Sequence, residues 1–417
     1  MPRIHLLLFI TLLILTISVK AQQTLATIEV QIPTEQLASS RPLKIAVDPI
    51  TFLPDSLLAL VEVRGNKTIT VNTQINYEPQ RTLYWTIEPV KNLKKRIFKL
   101  QQNFQINPRV KTSKVTVVDK DGAIIIQSKQ KNLLQYNYET VYPPAGADSA
   151  FKRSAFIHPL WSPKGQVLTR IQPPDHYHHY GIWNPWTHIL YEGDTLDFWN
   201  LNKKQGTVKF ANFNTIKSGD VFGEYQTLHQ HTAFRNNGEE VIINETQTVR
   251  IYQSSGHENY YITDITIAMN CPAKPVLLLE YRYGGLGWRT TEQWTKDNSE
   301  VMTSEGKTRK DADGTKARWC MVQGLVDADT AGVLMMSYPT NYNHPEPLRI
   351  WPENQYDRGD MFANFDPTKD MDWLLEPGND YVLKYRLIVF NGKWNKKIAE
   401  NAWRNFTDTP VITITKN

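Results

Sequence analysis

Short runs in which apolar and polar residues alternate with a period of two dominate this chain. Residues 115–118, 123–126, 248–252 and 331–337 read as strands. Within 263–269, Ile265, Ile267 and Met269 fall on one face, with Asp264 and Thr266 on the other. Within 381–390, Leu383, Tyr385, Leu387 and Val389 alternate with Lys384 and Arg386. Period-two patterning punctuated by turn residues such as Asp121-Gly122 and Asn391-Gly392 predicts antiparallel sheets. One segment changes period: from Asn395 onwards Ile398, Ala402, Trp403 and Phe406 recur at helical spacing, which predicts a C-terminal helix lying across the end of a sheet. The fold class expected is all-β. It comprises a large, supersandwich-like antiparallel β-sandwich, a small N-terminal β-sandwich domain and this C-terminal helix.

The first residues divide off from that pattern. Arg3 precedes an apolar run from Leu6 to Val19, and Val19-Lys20-Ala21 resembles a signal-peptidase site. Residues 1–21 are therefore expected to be a cleaved export signal, placing the protein in the periplasm or outside the cell. The run is short for a membrane span and no later stretch is apolar enough to make one. Residues 22–112, with short β-like runs at 27–32, 68–75 and 82–87, read as the N-terminal β domain, and 113–417 as the main β-sandwich domain. A basic stretch at 91–99 reads either as a solvated edge or as a contact for an anionic glycan. Two cysteines, Cys271 and Cys320, are too few for a disulfide framework, so they are either one bridge or two buried thiols. Losing Arg3 and Lys20 with the signal lowers the formal charge from +5 to +3. That balance suits an anionic substrate and carries none of the basic blocks of nucleic-acid binding.

Chemistry concentrates in one place. Asp175-His176-Tyr177-His178-His179-Tyr180-Gly181 holds three of the chain's ten histidines, just after Pro173-Pro174. In a strand, His176 and His178 share a face and His179 takes the other, while the double proline argues for a loop. Imidazoles serve as acids and bases near neutrality, or as metal ligands. No cofactor is predicted; a divalent metal, if present, would take Asp175, His176 and His178. Arg170 offers a fork for a carboxylate. Trp183, Trp186, Tyr191 and Trp199 follow closely, and aromatic faces of this kind stack on sugar rings. Further on, 280–289 contains Gly284-Gly285-Leu286-Gly287-Trp288-Arg289 and reads as a tight turn or bulge presenting Trp288 and Arg289. Glu305 and the loop residue His344 complete the candidates.

Several of these motifs, taken in order, resemble the PmoA-like family of secreted Bacteroidetes proteins. They are His158-Pro159-Leu160, the Pro163–Gly165 turn, Pro174 to Trp183, Asp197-Phe198-Trp199, Gly284 to Arg289, Ser304-Glu305-Gly306 and Asn343-His344-Pro345. The likeness covers residues 114–395. It implies a β-sandwich and a setting among glycan-degradation genes. Where that family often carries a Trp soon after the His-Pro loop, this chain has Pro347-Leu348-Arg349 before Trp351.

Three functions fit these residues. The first is a carbon–oxygen lyase or dehydratase acting by β-elimination on uronic-acid-containing oligosaccharides. One of His176, His178 and His179 would be its base, and His344 or Tyr180 its acid. Arg170, Trp183, Trp186, Trp288, Arg289 and Glu305 would hold the substrate. The second is a glycoside hydrolase using two carboxylates. The third is a glycan-binding protein without catalysis. The expected partner in each case is an oligosaccharide, with neither nucleic acid nor membrane involved.

Overall fold

The computed structural model describes residues 23–33, 40–90, 93–103, 113–252 and 259–417. The proposed export signal lies outside the described residues, as do Lys91 and Asn92 of the basic stretch. The chain is nearly all β, arranged in antiparallel sheets. Asp121 and Gly122, both at positive φ, make the tight hairpin between Val115–Lys120 and Ala123–Ser128.

Two large sheets face each other. One has eight strands, beginning with Gly206–Lys217, Phe222–Arg235, Gly238–Tyr252 and Tyr260–Asn270 and continuing through Tyr381–Asn391. The other has nine, with Glu346–Ile350, Phe362–Phe365, Gly287–Arg289, Ile182–Trp183 and Phe156–Leu160 at successive positions. Their inner faces share one core that includes Ile265, Ile267, Met269, Leu383, Tyr385, Leu387 and Val389 from the first sheet, and Ile182, Trp288, Leu348 and Phe365 from the second. The alternation read from the sequence is thus the inward set. Cys271 and Cys320 are separate, buried thiols.

A second, smaller core lies among Ala26, Ile28, Val30, Leu60, Leu83, Trp85, Phe98 and Leu100. A five-stranded and a three-stranded sheet enclose it. The basic stretch runs into the strand Lys95–Gln102, which sits inside the five-stranded sheet between Thr24–Gln31 and Leu58–Arg64. Arg96 is buried against Glu62, so this part of the stretch is no open patch. The edge of that sheet is closed by Val411–Lys416, which returns from the far end of the chain to pair with Thr24–Gln31.

The helix spans Lys396–Thr407, and the Asn395 side chain caps it by accepting from the Ile398 amide at 3.0 Å. It lies on the outer face of the eight-stranded sheet, not across its end. Ala399 and Ala402 pack with Trp319, Leu334, Met336, Ile388 and Phe390. Those residues alternate with the inward set on the same strands, so both faces of these strands are buried.

Candidate functional site

The histidines project from a short loop held on the outer face of the nine-stranded sheet. The loop is two successive turns, not a strand. The His176 amide donates to the Pro173 carbonyl at 2.8 Å, and the His179 amide to the His176 carbonyl at 3.0 Å. The Gln172 amide closes the loop on the His179 carbonyl at 2.8 Å. This folding gathers all three imidazoles, where an extended strand would have sent His179 to the opposite face. Ring centroids are 5.3 Å apart for His176 and His178, 4.6 Å for His176 and His179, and 4.7 Å for His178 and His179.

The loop's base is stitched to the sheet. The Gly181 amide donates to the Arg170 carbonyl, the Arg289 amide to the Gly181 carbonyl and the Arg170 amide to the Arg289 carbonyl. Gly181 is required there. Its φ is +58°, and a Cβ would stand 2.1 Å from the Ile157 carbonyl oxygen.

Below the loop is an aromatic floor of Phe156, Trp183, Trp199, Trp351 and Phe362. His179 packs on Trp183, Trp351 and Phe362. Period two explains the split within Gly287–Arg289: Trp288 points into the core, while Gly287 and Arg289 share the outer face. Trp199 and Phe362 crowd the position where a Cβ on Gly287 would stand, at 3.0 and 3.3 Å.

Around the histidines lies a balanced set of charges. Asp175 Oδ2 is 2.8 Å from His176 Nδ1 and 3.7 Å from Arg289 Nη2. Asp360 meets Arg289 at 2.5 Å, Arg170 at 3.4 Å and Arg358 at 2.7 Å, and Arg170 also meets Glu292 at 3.4 Å. The Arg289 guanidinium stacks over Trp351, 4.6 Å from the ring centre. Burial raises the Asp175 carboxyl, but the His176 hydrogen bond and the Arg289 charge outweigh it and hold the group down to about 2. Asp175 is then an acceptor only, so His176 Nδ1 carries the proton and Nε2 has the lone pair. That lone pair accepts from the Tyr356 hydroxyl at 3.0 Å. Burial pushes His178 down to about 3 and His179 well below the ordinary imidazole range, so both rings are neutral.

Buried polar atoms here that have no hydrogen-bond partner include His179 Nδ1, Trp183 Nε1 and Arg289 Nη1. Such atoms are rare in native interiors and point to a water, ion or ligand. His176, His178 and His179 are the group among the described residues whose ligand atoms, one from each, lie within 4.8 Å of one another. His179 thus takes the place expected for Asp175 in the ligand set, because the Asp175 carboxylate is engaged by His176 and Arg289.

The other sequence candidates lie elsewhere. Tyr180 is in the aromatic layer beneath, its hydroxyl between Gln172 and the Phe151 carbonyl. Trp183 is buried under His179 as floor, with no open face for a sugar. Trp186 packs on Trp373 in the main core, and Trp288 on Trp294 with its indole N–H on the Leu168 carbonyl. His344 bonds Ser337 at 3.1 Å, and Glu305 lies near Arg318 at 3.7 Å. Both gather at the end of Glu346–Ile350 opposite Trp351. Glu346 and Trp351 are five positions apart, about 17 Å of strand.

Sequence reasoning missed Asp360, Tyr356 and Phe362, and gave Trp351 no role in the site. The structure brings them from about 180 positions downstream of the loop. Only the Trp351 departure from the family pattern gave any hint of them.

The fold and site thus define an all-β sandwich protein carrying a histidine-rich loop on a sheet face. By its sequence the chain belongs to DUF6807, a family of unknown function, whose model matches residues 123–404. This corrects the PmoA-like assignment. No curated protein matches the chain. Among solved structures it is similar to a glycosyl hydrolase family 38 protein from Enterococcus faecalis, at 10% identity and a TM-score of 0.40. It is also similar to an alpha-mannosidase from Enterococcus faecalis V583, at 9% identity and a TM-score of 0.42. Each match covers 94% of this chain but 47% and 46% of the other, so the chain spans about half the length of those structures. Likeness at that level transfers no activity.

Proposed function

We propose that the protein is an exported, carbohydrate-active enzyme with the histidine loop as its active centre. The reaction proposed is β-elimination at a uronic acid, cleaving a carbon–oxygen bond beside the carboxylate. The observation that carries this reading is the chain Asp175–His176–Tyr356, which ends at a half-exposed phenol hydrogen-bonded to the imidazole.

Elimination α to a carboxylate needs a group that takes and returns a proton, and positive charge for the enediolate-like intermediate. Burial raises the Tyr356 pKa, so the phenol is protonated at rest. Tyr356 passes its proton to His176 Nε2 as its oxygen takes the proton on the carbon α to the carboxylate. The electron pair left behind forms the carbon–carbon double bond as the neighbouring carbon–oxygen bond breaks. The departing oxygen takes the proton from Tyr356, and His176 returns its own to the tyrosine. Ionised Asp175 stabilises the imidazolium between these steps. Arg170, one-fifth exposed, is the cation at the mouth.

Hydrolysis by two carboxylates fits less well. A glycosidase acid is a carboxyl with a raised pKa. At the loop, Asp175 is held down by its partners and Asp360 is engaged by three arginines.

The test is incubation with a panel of uronate oligosaccharides, following the ultraviolet absorbance of a conjugated double bond. Elimination predicts that signal in step with new chain ends. New reducing ends without it would replace the lyase reading by hydrolysis, and neither signal on any uronate would sink both.

A further inference from the structure

We infer that His176, His178 and His179 form a binding site for one divalent transition-metal ion, with Asp175 behind His176 as the carboxylate that orients it. Each ring offers one nitrogen, and the three lie within 4.8 Å of one another. A tetrahedral ion held at about 2.0–2.1 Å by each would set them roughly 3.3 Å apart. The rings therefore close by at most about 1.5 Å on loading, within reach of side-chain rotation.

The hydrogen bonding around the cluster is that of a ligand set. Asp175 takes the Nδ1 proton of His176 at 2.8 Å and leaves the Nε2 lone pair directed away from it. This is the carboxylate–histidine arrangement that fixes tautomer and ring orientation in metal centres. His178 and His179 make no side-chain hydrogen bond among the described residues, and His179 Nδ1 is buried without a partner. The protein's other close pair, His229 and His231, differs in that each ring has a nitrogen on the buried carboxylate of Glu245, at 3.1 and 2.8 Å, although His231 Nδ1 is also without a partner. Three imidazole nitrogens favour a borderline ion such as zinc or cobalt(II) over magnesium or calcium, which take oxygen ligands.

The Tyr356 hydroxyl, on His176 Nε2, stands where such an ion enters. With an ion bound, that nitrogen would be a ligand and would no longer accept the proton of the phenol. The ion would add positive charge to that of Arg170 at the mouth. This catalytic role rests on the elimination reading; the metal site does not.

The experiment is to strip the full-length protein with a chelator and titrate it with cobalt(II) and zinc(II). Metal per chain, melting temperature and the cobalt visible spectrum are the readouts. One equivalent per chain, a raised melting temperature and a tetrahedral cobalt spectrum are expected. His178→Ala should abolish all three, His344→Ala none. Asp175→Asn, at an exposed position that leaves the fold intact, should weaken affinity about 10–100-fold. Failure of the folded protein to take up stoichiometric cobalt(II) or zinc(II) would overturn the site, as would uptake indifferent to His178→Ala and Asp175→Asn. Uronate turnover without metal uptake removes the metal and keeps the elimination; metal uptake without turnover of any uronate does the reverse.

Discussion

At the scale of single residues, Tyr356 and Gly181 separate chemistry from architecture. Tyr356 is 48% exposed, so Tyr356→Phe removes a hydroxyl without opening the core. On the proposed mechanism it should lower kcat by about 10²–10⁴-fold. Melting temperature should hold, because little burial is lost. Steady-state kinetics on a uronate substrate beside a thermal scan read both, and unchanged kcat would remove Tyr356 from the proton path. Gly181→Ala is the complement. A methyl group at φ +58°, aimed 2.1 Å from the Ile157 carbonyl, forces the backbone that carries the loop to move. The expected cost is about 2–3 kcal/mol in a denaturant titration. Loop chemistry was legible in the sequence because three histidines in four positions after a double proline mark it. The floor was not. Trp183, Trp186 and Trp288 all read as sugar platforms, yet both faces of their sheet are covered, so alternation does not separate core from site.

At the scale of elements, the helix shows why one amphipathic segment changes the strands beneath it. Period two in Tyr381–Asn391 named Leu383, Tyr385, Leu387 and Val389 as the inward set, and they are. The same alternation put Arg386 on the opposite face. There Arg386 is buried beneath Phe406 and bonds Asp264 at 2.6 and 2.8 Å, because the helix roofs that face. The helix was visible in its own spacing, but its seat was not, since it depends on Leu334, Met336 and Ile388 facing outward on neighbouring strands. Its first turn relies on the Asn395 side chain. Asn395→Ala should therefore cost about 1 kcal/mol, while Asn395→Asp or Asn395→Ser should cost less. Chemical denaturation of the three variants checks the order, and equal losses would show that the cap contributes nothing beyond the packing of Ala399 and Ala402.

At the scale of the whole molecule, long-range pairing decides what local pattern leaves open. The return of Val411–Lys416 to the first sheet, and of Trp351, Tyr356 and Asp360 to the histidine loop, have no local signature. The same long-range assembly buries acids far from the site. Glu346 is fully enclosed, accepting from Asn341 at 2.7 Å and Tyr385 at 2.8 Å, and burial pushes its carboxyl up to about 7. A carboxyl with a raised pKa in the folded state binds a proton there that the unfolded chain has already released. Its contribution is therefore complete below the unfolded value of 4.5 and is lost as pH rises to about 7. The fall is about 3 kcal/mol across that window. Glu245 runs the other way. Its two histidines hold its pKa below the ordinary value, so its contribution is present above 4.5 and is lost as pH falls further. Against the rise in stability with pH that the buried, neutral His178 and His179 contribute below about 6.5, urea unfolding between pH 4.5 and 7.5 should thus show a downward component of slope in the wild type. Glu346→Gln, which keeps an acceptor and cannot ionise, should lose that slope. An unchanged slope in Glu346→Gln would assign it to another group, with Asp366, also buried and raised, as the next carboxyl to substitute.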